Sequence, residues 1–271
     1  MKTKYLILSL LTIGIATVSC KKEEGCTDVS ATNYDADAEK DDGSCNYGYD
    51  TKMMFMPKFG SAEFEYNTDF TDGSGNTVQF SRLNFYVSSP QIMGHDEEIY
   101  SDGNEVMLFT MDNKTFDLGN IATEINHWHE VNFNLGVPAN LNTQDGEDAK
   151  DPSEYDNDHP LSFQSPNMHW SWNSGYIFIA VEGMVDVDGD NQTDSLVEYH
   201  IGGNNFLNNV NLTLHEDVTG DQVNIHVNFD LEKLFEGIDM STERITHTMD
   251  DMPLANKIKD NIPGAFSVDS H

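Results

Sequence analysis

Positive charge is scarce in this chain: 14 Lys and Arg stand against 47 Asp and Glu in 271 residues, a formal net charge of −33. Such a surface cannot neutralise phosphates, which excludes nucleic acid as a partner, and its field concentrates cations while repelling anions. Cysteine is scarce as well, with 3 residues, so at most one disulfide can form. No apolar run capable of membrane insertion follows the first twenty residues. No G-x-S-x-G, Walker loop, H-E-x-x-H or dinucleotide fingerprint is present, and carboxylates are too abundant to single out a catalytic pair, so an enzyme is not expected. Aromatics, in contrast, are plentiful, with 15 Phe, 10 Tyr and 3 Trp. That content excludes wholesale disorder and predicts a folded acidic protein.

Lys2 and Lys4 precede an apolar stretch over residues 5–18 that is too short to span a bilayer comfortably. It has the layout of a signal peptide. Thr17-Val18-Ser19-Cys20 resembles a bacterial lipobox, which implies cleavage after residue 19 and lipid on Cys20. The Lys21-Lys22-Glu23-Glu24 that follows resembles the signal sending lipoproteins of the Bacteroidetes to the outer face of the outer membrane. With Cys20 assigned to lipid, Cys26 and Cys45 remain as a disulfide pair in an oxidising compartment. The segment between them resembles a small module of exported Bacteroidetes proteins. It is too short to bury a core, and closing a loop of about 20 residues contributes roughly 3 kcal/mol in the chain-entropy picture. Asp35, Asp37, Asp41 and Asp42 within it read as a solvated spacer in preference to a calcium site. The expected organisation is a signal peptide over 1–19, an anchored stapled spacer over 20–50, and a main domain over 51–271.

The main domain divides into short β-rich runs punctuated by Gly, Asn, Asp and Pro, predicting an all-β antiparallel sandwich. Strands are expected at residues 53–56, 62–66, 77–87, 105–110, 130–135, 176–185, 195–201, 209–214 and 223–231. The turn Asp72-Gly73-Ser74-Gly75-Asn76 predicts a hairpin joining 62–66 to 77–87. Val223, Ile225, Val227, Phe229 and Leu231 alternate with polar residues and predict one buried face. Asp250-Asp251-Met252-Pro253 followed by Leu254, Ala255, Ile258 and Ile262 predicts a capped, short C-terminal helix. Residues 140–166 lack either period and read as an extended, mobile acidic loop.

The histidines are unevenly spread: His127 and His129 flank Trp128, His169 precedes Trp170 and Trp172, and His200 lies near the end of a strand. Imidazole suits copper and zinc, and residues i and i+2 of an extended segment point the same way, so His127 and His129 could face one ion. The same residues also read as interfacial packing, and the tryptophans as core.

Phe80-Ser-Arg-Leu-Asn-Phe-Tyr-Val-Ser-Ser89, Val131-Asn-Phe-Asn-Leu-Gly-Val-Pro138, Met168-His-Trp-Ser-Trp-Asn-Ser-Gly-Tyr-Ile-Phe178 with Glu182-Gly183, and Tyr199-His-Ile-Gly-Gly203 follow one another as in MbnP-like proteins. This chain resembles that family over about residues 51–271. The family is named for methanobactin-associated copper-binding proteins and is abundant among Bacteroidetes lipoproteins. The resemblance implies a β-rich domain and copper binding, in some members through histidines and a tryptophan that a partner dihaem, peroxidase-like enzyme oxidises to kynurenine. It places His200 first among copper ligands, then His169, with His127 and His129 as further candidates and Trp170 or Trp172 as the oxidisable residue.

Asp186, Asp188, Asp190 and Asp194, with Glu198 beyond, form a separate pattern. Alternating carboxylates can wrap calcium, and Asn191, standing where such loops usually carry glycine, tolerates a positive φ. The other reading is an acidic hairpin turn. Taken together, the sequence predicts a surface lipoprotein that captures or handles copper. The competing expectation is a calcium-stabilised structural or adhesion-type module without copper.

Overall fold

A computed structural model describes residues 23–268. The expected signal peptide over 1–19 and the expected lipid site at Cys20 lie outside these residues. The chain divides into two compact units, one ending at Tyr47 and the other beginning at Gly48.

The smaller unit carries the Cys26–Cys45 disulfide. Two-residue strands, Glu24–Gly25 and Lys40–Asp41, pair in parallel within it. Its acids cap its own turns: Asp35, Asp41 and Asp42 accept from the backbone N–H of Asp37, Gly43 and Ser44, each at 2.9 Å.

In the larger unit twelve strands and one long helix position the site: β1 (Tyr49–Phe59), β2 (Thr77–Met93), β3 (Val106–Phe109), β4 (Thr115–Ile121), β5 (His127–Leu135), β6 (His169–Ser171), β7 (Gly175–Val185), β8 (Ser195–Gly202), β9 (Asn208–Asp217), β10 (Gln222–Asp230), β11 (Ile245–Thr246), α1 (Met252–Ala265) and β12 (Phe266–Val268). The larger sheet runs β9-β5-β2-β7-β8-β11, with β3, β6 and two short strands paired to its members. The smaller runs β12-β10-β1 and continues into the two-residue strand Ala62–Glu63, with β4 also on β1. The all-β sandwich with a C-terminal helix is thus observed. Most pairings are antiparallel, and the sandwich also contains two parallel ones, β1 with β10 and β8 with β11.

Alternation explains the packing. Tyr49, Thr51, Met53, Phe55, Pro57 and Phe59 of β1 turn inward, as do Val223, Ile225, Val227 and Phe229 of β10. Phe55 sits at the centre, meeting Phe85, Phe109 and Phe133 edge-on with ring centres 5.5–6.3 Å apart. These aromatic contacts each stabilise by about 0.5–1.5 kcal/mol beyond burial. α1 begins as its sequence predicts: the Asp251 side chain accepts from Leu254 N at 3.1 Å, Pro253 occupies the first turn, and Leu254, Ala255, Ile258 and Ile262 are buried.

Two expectations are corrected. The turn at residues 72–76 joins Phe70–Thr71 to β2, while Ala62–Glu63 pairs with β1; the turn is where expected but its first arm is not. Asp72 secures it by accepting from Ser74 N, Asn76 N and Asn76 Nδ2, and also from Met240 N. Residues 140–166 are not a free extended loop. They contain the 3₁₀ turn Pro152–Glu154 and lie against the larger sheet, where Tyr86 and Tyr176 donate their hydroxyls to the carbonyls of Pro160 and Leu161 at 3.1 and 2.6 Å. Buried tyrosine hydroxyls require such acceptors. The loop supplies them as backbone carbonyls, which carry no sequence pattern.

Candidate metal centre

Strand register assembles the centre. On one face of the larger sheet Arg82, Glu182 and Glu198 form one row across β2, β7 and β8, and Asn84, Ala180 and His200 form the next. The small Ala180 side chain leaves His200 room to lie over the sheet. β11 pairs in parallel with the outer edge of β8, and Glu198 N donates to Arg244 O at 2.8 Å. That pairing brings His247 beside Glu198 although the two are far apart in sequence. Thr248 then clips the segment in place, its hydroxyl donating to His200 O and accepting from Gly202 N, both at 3.0 Å. Its φ of 68° is costly for a β-branched residue, and the surrounding bonds hold it there.

Three donor atoms converge, one each from Glu198, His200 and His247, all within 4.8 Å of one another. His200 Nε2 is 2.9 Å from Glu182 Oε1, and its Nδ1 faces Glu198 Oε1 at 3.5 Å. His247 Nδ1 is 2.8 Å from Asp250 Oδ2, and its Nε2 is 3.3 Å from the same Glu198 oxygen. Each imidazole therefore has one nitrogen held by a carboxylate and the other aimed at a shared oxygen. Metal-ligating histidines are oriented in this way, because the carboxylate fixes the tautomer and makes the opposite nitrogen more basic.

Charge around the centre is layered. Burial pushes the His200 pKa below its ordinary value against the pull of Glu182 and Glu198, so its neutral form is favoured. Burial also pushes Glu182 up, but hydrogen bonds from Arg82 and His200 outweigh it and keep the carboxylate ionised. Arg82 is itself buried and directs Nη1 to Glu182, Nη2 to Asn167 O at 2.8 Å and Nε to Asn84 Oδ1 at 3.1 Å. The hydrogen bond to Asp250 raises the His247 pKa.

A cavity of about 530 Å³ opens beside His247, with Trp170, Met249 and Met252 among its lining. The absent side chain of Gly202 is what lets Trp170 lie there. A Cβ at Gly202 would stand 2.9 Å from Trp170 Cζ3 and 2.4 Å from Tyr176 O.

Of the histidines nominated from sequence, His200 belongs to this centre. His169 does not join the cluster: it is buried against Tyr176 with ring centres 4.9 Å apart, and its Nε2 has no hydrogen-bond partner. His127 and His129 lie on β5, separated from β8 by β2 and β7. Trp170 lines the cavity, whereas Trp172 is not among its walls. His247 and Met249 were not anticipated, and Glu198, expected at the end of the Asp loop, faces the histidines instead. The one sequence signal was His247-Thr-Met-Asp-Asp-Met252, which places imidazole, thioether and carboxylate together just before a helix cap.

In the Asp loop, Asp186, Asp188 and Asp190 gather, and Asn191 has the positive φ expected of it, at 66°. Asp186 is buried and accepts from the backbone N–H of Gly189 and Asn191, both at 2.8 Å, which outweighs burial and keeps its pKa low. Asp194 accepts from Ser195 Oγ at 3.3 Å. Local donors thus engage these carboxylates and build a turn.

Comparison with known proteins locates this architecture. The sequence profile of the MbnP family matches residues 49–250. MbnP from Methylosinus trichosporium is a structural neighbour, with a TM-score of 0.48 and 15% identity over 70% of this chain and 78% of that one. No curated protein matches the sequence.

Proposed function

Since the chain belongs to the MbnP family, we propose that it captures and hands on copper at the centre formed by His200, His247 and Glu198. The observation that carries this reading is the pair of imidazoles oriented by Glu182 and Asp250 toward one Glu198 oxygen. Two nitrogens and an oxygen suit Cu(II), and the same donors also accept zinc. Family membership favours copper, and Met249 and Met252 offer thioethers suited to Cu(I) on the cavity side. Trp170, on the same cavity, is the residue we assign to oxidation by a dihaem partner; Trp172 lies off it.

The acidic surface draws cations toward the centre. A lipid on Cys20 would hold the protein at the outer membrane, on the cell surface, with the stapled unit as spacer. The Asp loop also gathers three carboxylates, but Asp186 already accepts from the backbone N–H of Gly189 and Asn191, and we favour the centre at His200 over the calcium-module reading. The test is copper titration of the metal-free protein by calorimetry and intact-mass spectrometry. One equivalent should bind at this centre, and both His200→Ala and His247→Ala should remove it. Unchanged copper uptake in both variants would refute the assignment. Replacement of Cys20 by Ser should release the protein from membranes, as read by fractionation.

A further inference from the structure

Four histidines outside the centre converge at the opposite edge of the larger sheet. His129 stands in the middle: its ring centre is 4.0 Å from that of His215, 5.6 Å from that of His95 and 6.5 Å from that of His127. The strands bring them together by identifiable means. His127 and His129 occupy alternate positions of β5 and share a side, while Trp128 turns into the core. His95 follows the end of β2, whose Met93 is opposite Glu130. His215 arrives through a β-bulge: Trp128 pairs with Glu216 and Glu130 with Thr213, so β9 carries one extra residue opposite His129. His215 itself has φ of 47°. A bulge re-aims side chains in this way beside functional sites.

We propose that His95, His127, His129 and His215 form a second transition-metal site, for Cu(II) or Zn(II), independent of the centre at His200. An imidazole nitrogen about 2.0 Å from an ion puts the ring centre roughly 3 Å away, so rings sharing one ion have centres about 4–6 Å apart. Measured from His129, the rings of His215 and His95 meet that spacing, and His127 lies at its margin. The state of the nitrogens points the same way. His129 Nδ1 is buried without a hydrogen-bond partner, a condition that is costly unless something satisfies it. His95 Nδ1 is 2.9 Å from Asp96 Oδ2 and His127 Nδ1 is 2.7 Å from Asp217 Oδ1. Those carboxylates engage Nδ1 and leave the two Nε2 atoms as ligands. The donor set is all imidazole, which selects borderline divalent ions over calcium or magnesium.

The experiment is ion counting with Cu(II) and, separately, Zn(II) added to the metal-free protein. The wild type should bind two Cu(II), His247→Ala one, the double variant His129→Ala/His215→Ala one, and all three substitutions together none. The ion remaining in His247→Ala should show nitrogen hyperfine structure from imidazole in its electron paramagnetic resonance spectrum. If the double variant binds as many ions as the wild type, the proposal is wrong, whatever His247→Ala does. Should the partly buried His129 be needed for folding, His95→Ala/His127→Ala changes only exposed positions. It should weaken the second ion at least tenfold, and unchanged affinity there also overturns the site.

Discussion

His200 and His247 face the same carboxylate but are pushed in opposite directions, the first toward neutrality by burial and the second toward the protonated form by Asp250. Copper needs an unprotonated nitrogen on each. Loading therefore requires His247 to give up a proton held more tightly than usual, and copper affinity should fall as pH drops through the raised His247 value, approaching tenfold per unit below it. Calorimetric titrations between pH 5 and 8 read this directly, and a flat profile would contradict it. The linkage to stability has opposite signs at the two residues. His247 binds its proton more tightly folded than unfolded, so its contribution is present at low pH and lost as pH rises through the raised value. His200 binds its proton less tightly, so its neutral form favours folding above about pH 6.5 and that gain disappears as pH falls through the lowered value. Glu182→Gln should cost about 10–100-fold in copper affinity, because the amide can no longer hold Nε2–H with a charge, while the three donor atoms remain. His200 was legible as a strand-end histidine in a recognisable motif. His247 was not, because only the parallel pairing of β8 with β11 joins it to Glu198, and two-residue strands carry no period.

Strand alternation accounts for how much of the fold could be read beforehand. β1, β2, β7 and β10 each bury every second residue over part of their length or run apolar through the middle of the sheet, and the helix announced itself by cap and stripe. The hairpin at residues 72–76 misled because turn chemistry marks where the chain reverses and says nothing about how far back the first arm pairs. The loop over 140–166 looked unpatterned because its contacts to Tyr86 and Tyr176 are made by main-chain carbonyls. Two variants test these elements. Phe55→Ala, which empties the meeting point of both sheets, should destabilise by about 3–5 kcal/mol in denaturant unfolding. Gly202→Ala should displace Trp170 and press on the Tyr176 carbonyl. Its expected signature is altered Trp fluorescence and weakened copper binding together with a loss of about 1–3 kcal/mol.

A net charge of −33 acts on the molecule as a whole. Salt shortens the range of self-repulsion to about 10 Å at 0.1 M, so raising ionic strength from about 10 to 200 mM should increase the melting temperature by a few degrees. The same change should weaken copper capture, because the field that gathers cations is screened together with the repulsion. A melting temperature that falls with salt would contradict this account. The parallel pairing of β1 with β10 sets Asp50 opposite Gln222 and Lys58 opposite Asp230. β1 can meet β4 early during synthesis, but its other edge stays open until nearly the whole chain has emerged. Closing so long a loop is entropically slow, so the smaller sheet is the last part of the fold to be completed, and a chain cut short before β10 would leave β1 with an unpaired edge open to other strands.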